Sequence, residues 1–156
     1  MAHPDFEEFL VSLNEERVRY LIGGAHALAF HARPRATKDL DVFIDPSRAN
    51  AERTVRAIGK FFGGTSPKFA SAEYLRNPDT IVQLGVAPVR IDIVSSFGSI
   101  KRFADAWTRR VTSRFGTVDA HYLSLDDLIA EKTFWARPQD LADLVVLKRA
   151  VKQRGK

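Results

Sequence analysis

Two aspartates that alternate with apolar residues in one short run constrain this chain more than any other feature. The segment Asp39–Ile44 reads Asp-Leu-Asp-Val-Phe-Ile. Successive side chains of a β-strand point to opposite faces, so Asp39 and Asp41 share one face while Leu40 and Val42 share the other. Strands are depleted in aspartate, and two neighbouring carboxylates repel each other unless a cation lies between them. Carboxylate oxygens suit a hard ion such as Mg²⁺, so the segment predicts a strand with one core face and one metal-binding face.

A pair of glycines, Gly23 and Gly24, follows the apolar run Arg17–Ile22, which is predicted to be a strand. Glycine permits a sharp turn and a close approach of the backbone to a ligand. The helix predicted over Ala25–Ala32 would direct free N–H groups and the positive end of its dipole towards an anion. The spacing does not match the Gly-x-Gly-x-x-Gly pattern of dinucleotide-binding folds. A triphosphate site is therefore favoured at these glycines, and a tight turn without a ligand is the alternative.

A third acid lies in a later apolar run. Asp92 is the only acidic residue of Val89–Val94, which also reads as a strand. Between the glycines and the first acids lies a basic loop, in which some side chains could clamp phosphate and Arg33 is the one favoured to face solvent. The loop carries Arg33, Arg35, Thr37 and Lys38.

The glycine pair, Thr37, the Asp39-x-Asp41 strand and the later Asp92 together resemble the signature of the nucleotidyltransferase superfamily with the DNA polymerase β type of catalytic fold. The resemblance spans roughly residues 18–147. Within the superfamily, the chain is most similar to the small bacterial members, including those of toxin–antitoxin and abortive-infection systems. The resemblance implies Mg²⁺-dependent transfer of a nucleoside monophosphate from an NTP to an unidentified acceptor (RNA or tRNA, a protein or a small molecule), with release of pyrophosphate. Asp39 and Asp41 would then bridge two Mg²⁺ ions, and Asp92 would bind the ion that activates the nucleophile.

The C-terminal part resembles the small bacterial branch at a second pattern, in which a lysine on a late helix precedes an arginine and a Lys-Asp-x-x-Asp helix start. This chain has Lys132, Arg137, Asp140 and Asp143, with Gln139 where lysine is expected. The resemblance implies a catalytic Lys132 that contacts the phosphates, with Asp140 or Asp143 orienting Lys132 or Arg137. A purely structural ion-pair network between two helices is the alternative. The predicted nucleotide-binding residues are Gly23, Gly24, Arg35, Thr37, Lys38, Arg137 and Asp140.

The order of elements predicts an α+β fold, with a mixed sheet of about four to five strands flanked by helices and a helical C-terminal part. A single domain is expected over residues 1–156, with the catalytic sheet at about 17–95 and the helical part at about 98–152. A hairpin is predicted from Thr80–Val86 and Val89–Ser95, and one short edge strand over Arg114–Ala120. The segment Thr65–Asp79 predicts a loop with a short helix, which either touches substrate or only connects elements. Helices are predicted at residues 5–15, after Asp45-Pro46-Ser47, at Ile100–Trp107, from Ser124 to about Trp135, and from Pro138.

Composition bears on partners and location. The 156 residues contain no cysteine, which excludes disulfides and thiolate metal sites and suits a cytoplasmic protein. The pattern predicts neither a membrane span nor a signal peptide. Residues 101–156 hold 12 Lys and Arg against 7 Asp and Glu, which accounts for the net charge of +5. A basic surface attracts RNA or triphosphate, although a solvated helix end would look the same. A partner protein of a toxin–antitoxin pair is also implied, and the alternative function is a non-catalytic nucleotide- or RNA-binding member of such a pair.

Overall fold

Six strands form one mixed sheet in the computed structural model, which describes residues 3–33, 39–86 and 89–155. The strands are β1 (Tyr20–Ile22), β2 (Asp39–Ile44), β3 (Val82–Val86), β4 (Val89–Val94), β5 (Val111–Phe115) and β6 (Val118–Tyr122). The helices are α1 (Pro4–Glu15), α2 (Gly24–His31), α3 (Arg48–Phe61), α4 (Ala72–Arg76), α5 (Phe103–Thr108), α6 (Leu125–Trp135) and α7 (Pro138–Arg154). No helix in the described ranges is both long enough and apolar enough to cross a membrane.

The strand order is β3-β4-β2-β1-β6-β5. Strand β2 lies parallel to β4 and antiparallel to β1, and β1 in turn lies parallel to β6. The hairpins β3–β4 and β5–β6 are antiparallel. The predicted α+β class with a mixed sheet and C-terminal helices is confirmed, but the sheet has six strands where four to five were expected.

The extra strand comes from a hairpin that the sequence analysis merged into one element. A single strand was predicted over Arg114–Ala120, whereas the chain turns back after Phe115 and pairs Ser113 with Ala120. Gly116 adopts a φ of +60° at this turn, a left-handed conformation that glycine reaches without steric cost. The sheet therefore continues to residue 122, inside the part of the chain that was predicted to be helical.

Strand β1 is shorter than the sequence suggests. It was predicted to begin at Arg17, but it begins at Tyr20 because Arg17 adopts a φ of +56° at the end of α1. The Val18 amide then donates back to the Leu13 carbonyl, at 3.0 Å. The first residues after α1 thus serve a turn before the chain becomes extended.

The alternation in β2 produces the two expected faces. Leu40, Val42 and Ile44 are fully buried, and they pack in one core with residues of α1 and α3. Asp39, Asp41 and Phe43 point to the other face and are partly exposed. Phe43 packs there against a smaller apolar cluster that includes residues of α5, which leaves the end of this face that carries the acids open.

Two helices bury narrower faces than their composition suggests. Helix α3 buries Ala51 and Ile58, whereas Phe62 is exposed just beyond the helix end. Helix α7 buries Leu144 and Leu147, whereas Leu141 and Val145 are exposed. At 100° per residue Leu141 and Val145 lie about 60° and about 100° around the helix from Leu144, and farther from Leu147, so α7 packs along a narrower stripe than its composition suggests.

Candidate active site

The register of β2 against β4 brings the predicted carboxylates together. Across these parallel strands Asp41 lies opposite Asp92, and Asp39 lies opposite Arg90. The buried side chains Leu40 and Ile91 alternate with them and point to the core face. All three acids therefore lie on one face of two adjacent strands.

A cleft of about 470 Å³ opens beside these strands. Its polar wall contains six of the predicted site residues: Gly24, Asp41, Asp92, Lys132, Arg137 and Asp140. Its apolar wall includes Phe43, Leu128 and Trp135. Residues 78–81 also line the cleft, so the end of the 65–79 segment, whose role the sequence left open, reaches the site. Asp39 lies farther along the same strand face.

The charged form of the Asp41 carboxylate is strongly disfavoured in the cleft. Burial, reinforced by the nearby Asp92 and Asp39 carboxylates, raises the pKa of Asp41 to about 6. Within the described residues, no side chain or backbone group donates a hydrogen bond to its carboxylate or forms an ion pair with it. An acid of this kind gains most from a cation placed against its oxygens.

Arg90 lies between the other two acids and was not identified from the sequence. Its Nη2 is 2.8 Å from Asp39 Oδ2, and its Nε is 3.1 Å from Asp92 Oδ1. A second contact joins Nη2 to Asp92 Oδ2 at 3.3 Å. Arg90 precedes Asp92 by two residues in a strand, so the spacing alone places both side chains on one face and could have identified it.

The donor set fits a hard divalent ion. Burial raises the pKa of Asp92, although Arg90 acts in the opposite direction. Asp92 Oδ1 is buried, and no described group gives it a well-aligned hydrogen bond, since the 3.1 Å contact with Arg90 Nε is an ion pair without that alignment. Together with the Asp41 carboxylate, this oxygen offers lone pairs of the type that Mg²⁺ prefers. The described residues contain no ready-formed group of three metal-binding side chains, and Arg90 occupies the space between two of the acids.

The glycine turn lies directly against Asp41. The Gly23 amide donates to the Asp41 carbonyl at 3.0 Å. Gly24 has a φ of +57°, and a Cβ at this position would collide with the Asp41 carboxylate. A Cβ at Gly23 would instead collide with the Phe43 ring. Gly24 thus faces the cleft, while Gly23 allows close packing of the turn onto β2.

Helices α6 and α7 bring a buried lysine to the cleft. Lys132 Nζ is 2.9 Å from Asp143 Oδ2 and 3.5 Å from Asp140 Oδ1, and all three side chains are buried. Asp140 and Asp143 lie three residues apart on one face of α7. Gln139, which stands where lysine was expected, donates to Asp143 Oδ1 at 2.9 Å.

Arg137 caps the start of α7. Its Nε is 2.7 Å from Asp140 Oδ2, and its backbone N–H donates to the same oxygen at 3.1 Å. Burial alone would raise the pKa of Asp140, but these hydrogen bonds hold it below its ordinary value. The Arg137 side chain is 70% exposed, so a buried carboxylate holds an exposed cation at the cleft. The predicted residues Arg35, Thr37 and Lys38 lie outside the described residues.

Comparison with known proteins identifies the family. Residues 5–151 match the model of a family described as "Nucleotidyltransferase of unknown function (DUF6036)". The chain belongs to this nucleotidyltransferase family. The superfamily assignment predicted from the glycine pair and the strand acids is confirmed. A search of curated protein sequences finds no significant match.

Solved nucleotidyltransferase structures share the fold of the chain at low sequence identity. A crystal structure of ANT(2")-Ia in complex with adenylyl-2"-tobramycin matches with a TM-score of 0.61 and 11% identity, over 94% of this chain and 87% of that one. A presumed nucleotidyltransferase from Thermotoga maritima matches with a TM-score of 0.55 and 13% identity, over 98% and 96%. A nucleotidyltransferase-like protein from Paracoccidioides brasiliensis matches with a TM-score of 0.54 and 13% identity, over 92% and 74%.

Glu131 fixes one wall of the cleft in this nucleotidyltransferase and was also missed in the sequence. Its Oε1 accepts from the Ser99 backbone and hydroxyl, both at 2.8 Å, and its Oε2 accepts from the Gly98 amide and Trp135 Nε1, both at 3.1 Å. The side chain is buried. No motif marks Glu131, because its donors lie about 32 residues away in the chain or on its own helix. It ties the loop after β4 to α6 and orients Trp135.

Glu131→Gln is expected to lower the free energy of unfolding by about 2 kcal/mol. Each carboxylate oxygen accepts two donors, so the amide group of glutamine has to face donors whichever way it turns, and buried unpaired donors cost about 1–3 kcal/mol. Urea denaturation measures the change. Glu52→Gln on the exposed side of α3 is the matched control and should change stability by less than about 0.5 kcal/mol. Equal stability of the two variants would contradict this role for Glu131.

Proposed function

We propose that this nucleotidyltransferase moves a nucleoside monophosphate from an NTP to an acceptor hydroxyl in a Mg²⁺-dependent reaction. The acceptor oxygen bonds to the α-phosphorus, the bond to the bridging oxygen breaks, and pyrophosphate leaves with that electron pair while the hydroxyl proton passes to solvent. The observation that carries the proposal is the register that places Asp41 opposite Asp92, next to Gly24 in one cleft. A strand pair that carries only structural residues has no need of partly buried, mutually repelling acids.

Asp39, Asp41 and Asp92 are the residues that would hold the divalent ions, two in the proposed reaction. A bound Mg²⁺ supplies positive charge that stabilises the transferred phosphoryl group and favours ionisation of the attacking hydroxyl. The chain itself contributes the rigid placement of these carboxylates. Their strands are fixed in a continuous sheet whose other face is the buried core, so the oxygens are preorganised before substrate arrives.

The proposed triphosphate site lies between the glycine turn and helices α6 and α7. Gly24 lets the Asp41 carboxylate lie directly against the glycine turn, since a Cβ there would collide with it. Lys132 and Arg137 line the same cleft and carry positive charge. Asp140 and Asp143 hold Lys132 in place, as a residue that orients a phosphate ligand requires. For Arg35, Thr37 and Lys38, phosphate contact is proposed from the sequence alone. Thr37 matches the family pattern, and Arg35 and Lys38 lie in the basic loop between the glycines and the acids.

Gly24→Ala is expected to weaken binding of ATP with Mg²⁺ and to lower stability by more than about 1 kcal/mol. A left-handed backbone costs alanine about 1–2 kcal/mol, and the added methyl group would also displace the Asp41 carboxylate. Gly63→Ala is the matched control, because Gly63 has a φ of +78° and no described atom within 4 Å of an added Cβ. It should show the backbone cost alone and keep nucleotide affinity, as measured by calorimetry. Unchanged nucleotide affinity in Gly24→Ala would remove the glycine turn from the site.

We propose RNA, including tRNA, as the acceptor to test first. The end of α7 exposes Lys148, Arg149, Lys152 and Arg154, and Arg33 and Arg149 line a groove of about 230 Å³. Arg154 Nη2 holds the end of α7 against α2 through the His31 carbonyl, at 3.0 Å. A basic surface on the helix whose first turn lines the cleft favours a polyanionic acceptor. A small-molecule acceptor is the competing proposal, since one structural neighbour was solved with adenylyl-2"-tobramycin.

The test of the function is incubation with each of four α-labelled NTPs, Mg²⁺ and total cellular RNA, with parallel reactions on cytoplasmic protein extract and on tobramycin. Label in RNA with equimolar pyrophosphate release supports RNA as acceptor. Label in another fraction supports transfer and corrects the acceptor. Binding of RNA or of a co-expressed protein without transfer to any fraction would favour a non-catalytic member of a toxin–antitoxin pair.

A further inference from the structure

Arg90 is the one cation that touches two of the three proposed metal-binding acids among the described residues. It contacts Asp39 at 2.8 Å and Asp92 at 3.1 Å. Register fixes this arrangement, since Arg90 lies opposite Asp39 on β2 and two residues before Asp92 on its own strand. The contacts therefore follow from the sheet and do not depend on a loop.

The contacts with Asp92 and with Asp39 differ in quality. Both contacts with Asp92 are longer than the contact with Asp39. Nη2 donates to Asp92 Oδ2 at 3.3 Å and the buried Nε–Oδ1 pair at 3.1 Å lacks hydrogen-bond alignment, whereas Nη2 donates to Asp39 Oδ2 at 2.8 Å. A guanidinium satisfies carboxylates best in a planar, bidentate pair. Here it is divided between two acids, so its hold on Asp92 is weaker than a dedicated pair would give.

Space for the guanidinium to move exists beside the site. The Arg90 side chain is 36% exposed. On the neighbouring strand β3, the residue opposite Arg90 is Gly85, which has no side chain, and the residue opposite Asp92 is the exposed Gln83. The side chain can rotate towards solvent without unpacking the core face.

We propose that Arg90 is a built-in counter-ion of these acids that has to release Asp92 when a divalent ion binds, and that it thereby sets the affinity of the site. The inference rests on the proposed metal-dependent function. In the metal-free protein the guanidinium offsets repulsion among the three acids. On metal binding it has to release Asp92, so part of the binding free energy is used to displace it.

Removing the Arg90 charge should change metal-free stability and metal affinity in opposite directions, which distinguishes this role from a purely structural one. Removal of the Arg90 charge lowers metal-free stability, because Asp39 and Asp92 lose the cation that contacts both. The same removal raises metal affinity, because nothing has to be displaced and the site is more negative. A residue that only supports the fold would lower both.

Calorimetric titration of Mg²⁺ into the full chain without nucleotide tests the proposal. Arg90→Gln, which keeps most of the length without the charge, is expected to bind Mg²⁺ about tenfold more tightly than wild type, since a unit charge this close to a ligand set has at least that effect. Arg90→Lys keeps the charge but cannot span two carboxylates as a planar fork, so its affinity should lie between the two. The melting temperature with EDTA should fall in Arg90→Gln, and the increase on adding Mg²⁺ should exceed that of wild type.

Arg109→Gln is the matched control. Arg109 forms a bidentate pair with Asp127 of α6 at 2.9 and 3.0 Å, and neither residue lines the cleft, so this variant should keep wild-type Mg²⁺ affinity. Equal or weaker Mg²⁺ binding in both Arg90 variants, or no detectable binding in wild type and variants, overturns the proposal. The proposed function can fail separately: tighter Mg²⁺ binding by Arg90→Gln, with no nucleotidyl transfer by wild type, would support Arg90 as counter-ion and reject the reaction.

Discussion

Asp41→Asn is expected to abolish nucleotidyl transfer while leaving the chain folded. Asparagine keeps the shape of aspartate but supplies only one uncharged oxygen to a metal. Loss of one preorganised electrostatic contact in an active site lowers the rate by about 10²–10³, and a carboxylate proposed to be shared between two ions should lower it at least as much. The measurement is pyrophosphate release from an NTP with the acceptor that wild type labels.

The same substitution is expected to raise stability in EDTA at neutral pH. Burial and the neighbouring acids raise the pKa of Asp41 to about 6, above the value of about 3.9 in an unfolded chain. A raised carboxyl pKa favours folding fully below pH of about 4, and this contribution is lost as the pH rises through about 6. Wild type therefore carries a penalty of about 1–3 kcal/mol at pH 8, which Asp41→Asn lacks. The melting-temperature gain of the variant should be largest at pH 8 and should vanish near pH 4.

A control variant separates this effect from general charge removal. Asp126→Asn changes an exposed acid in the first turn of α6, outside the cleft-lining set. It should keep wild-type transfer and show no gain in stability at pH 8. Near-wild-type transfer by Asp41→Asn would mean that the chemistry takes place elsewhere. A loss of stability at pH 8 would mean that the charge of Asp41 in wild type is better compensated than its surroundings indicate.

Features set by residues close together in the chain were easier to predict from the sequence than features set by residues far apart. Strand β2 was predicted at its observed bounds, Asp39–Ile44, because alternation is a local signal and its breaks coincide with turn residues. The Ser124 cap of α6 and the Pro138 start of α7 were equally local. The prediction of a single strand over Arg114–Ala120 was wrong, because Gly116 was the only turn signal inside an otherwise continuous run.

The site was harder to predict than the elements, because it depends on register between distant strands. Asp92 was identified as the only acid of an apolar strand, but nothing local showed that it lies opposite Asp41. Arg90 was overlooked because its role depends on Asp39, 51 residues away. Glu131 was overlooked because two of its four donors are backbone amides, which carry no sequence signal, and the Ser99 hydroxyl lies 32 residues away.

Lys132→Met is expected to be the most destabilising single change in the site. The lysine is buried with two aspartates, and removing one partner of a buried ion pair costs about 3–5 kcal/mol because the remaining charge has lost its compensation. Lys60→Met is the matched control: Lys60 pairs with Glu16 at 2.9 Å, but its side chain is 48% exposed, and such exposed pairs contribute little to stability. Urea denaturation of both variants measures the difference.

The double variant Lys132→Met/Asp143→Asn separates a phosphate-binding lysine from a structural ion pair. Neutralising Asp143 together with Lys132 removes the uncompensated charge, and a buried pair replaced by neutral groups of similar size is often close to neutral in stability. The double variant should therefore recover most of the stability that Lys132→Met loses. If Lys132 contacts the triphosphate, transfer stays absent and the affinity for ATP stays weak, because no cation has been returned to the cleft. If the network between α6 and α7 is purely structural, transfer returns together with stability, and the catalytic role proposed for Lys132 is wrong.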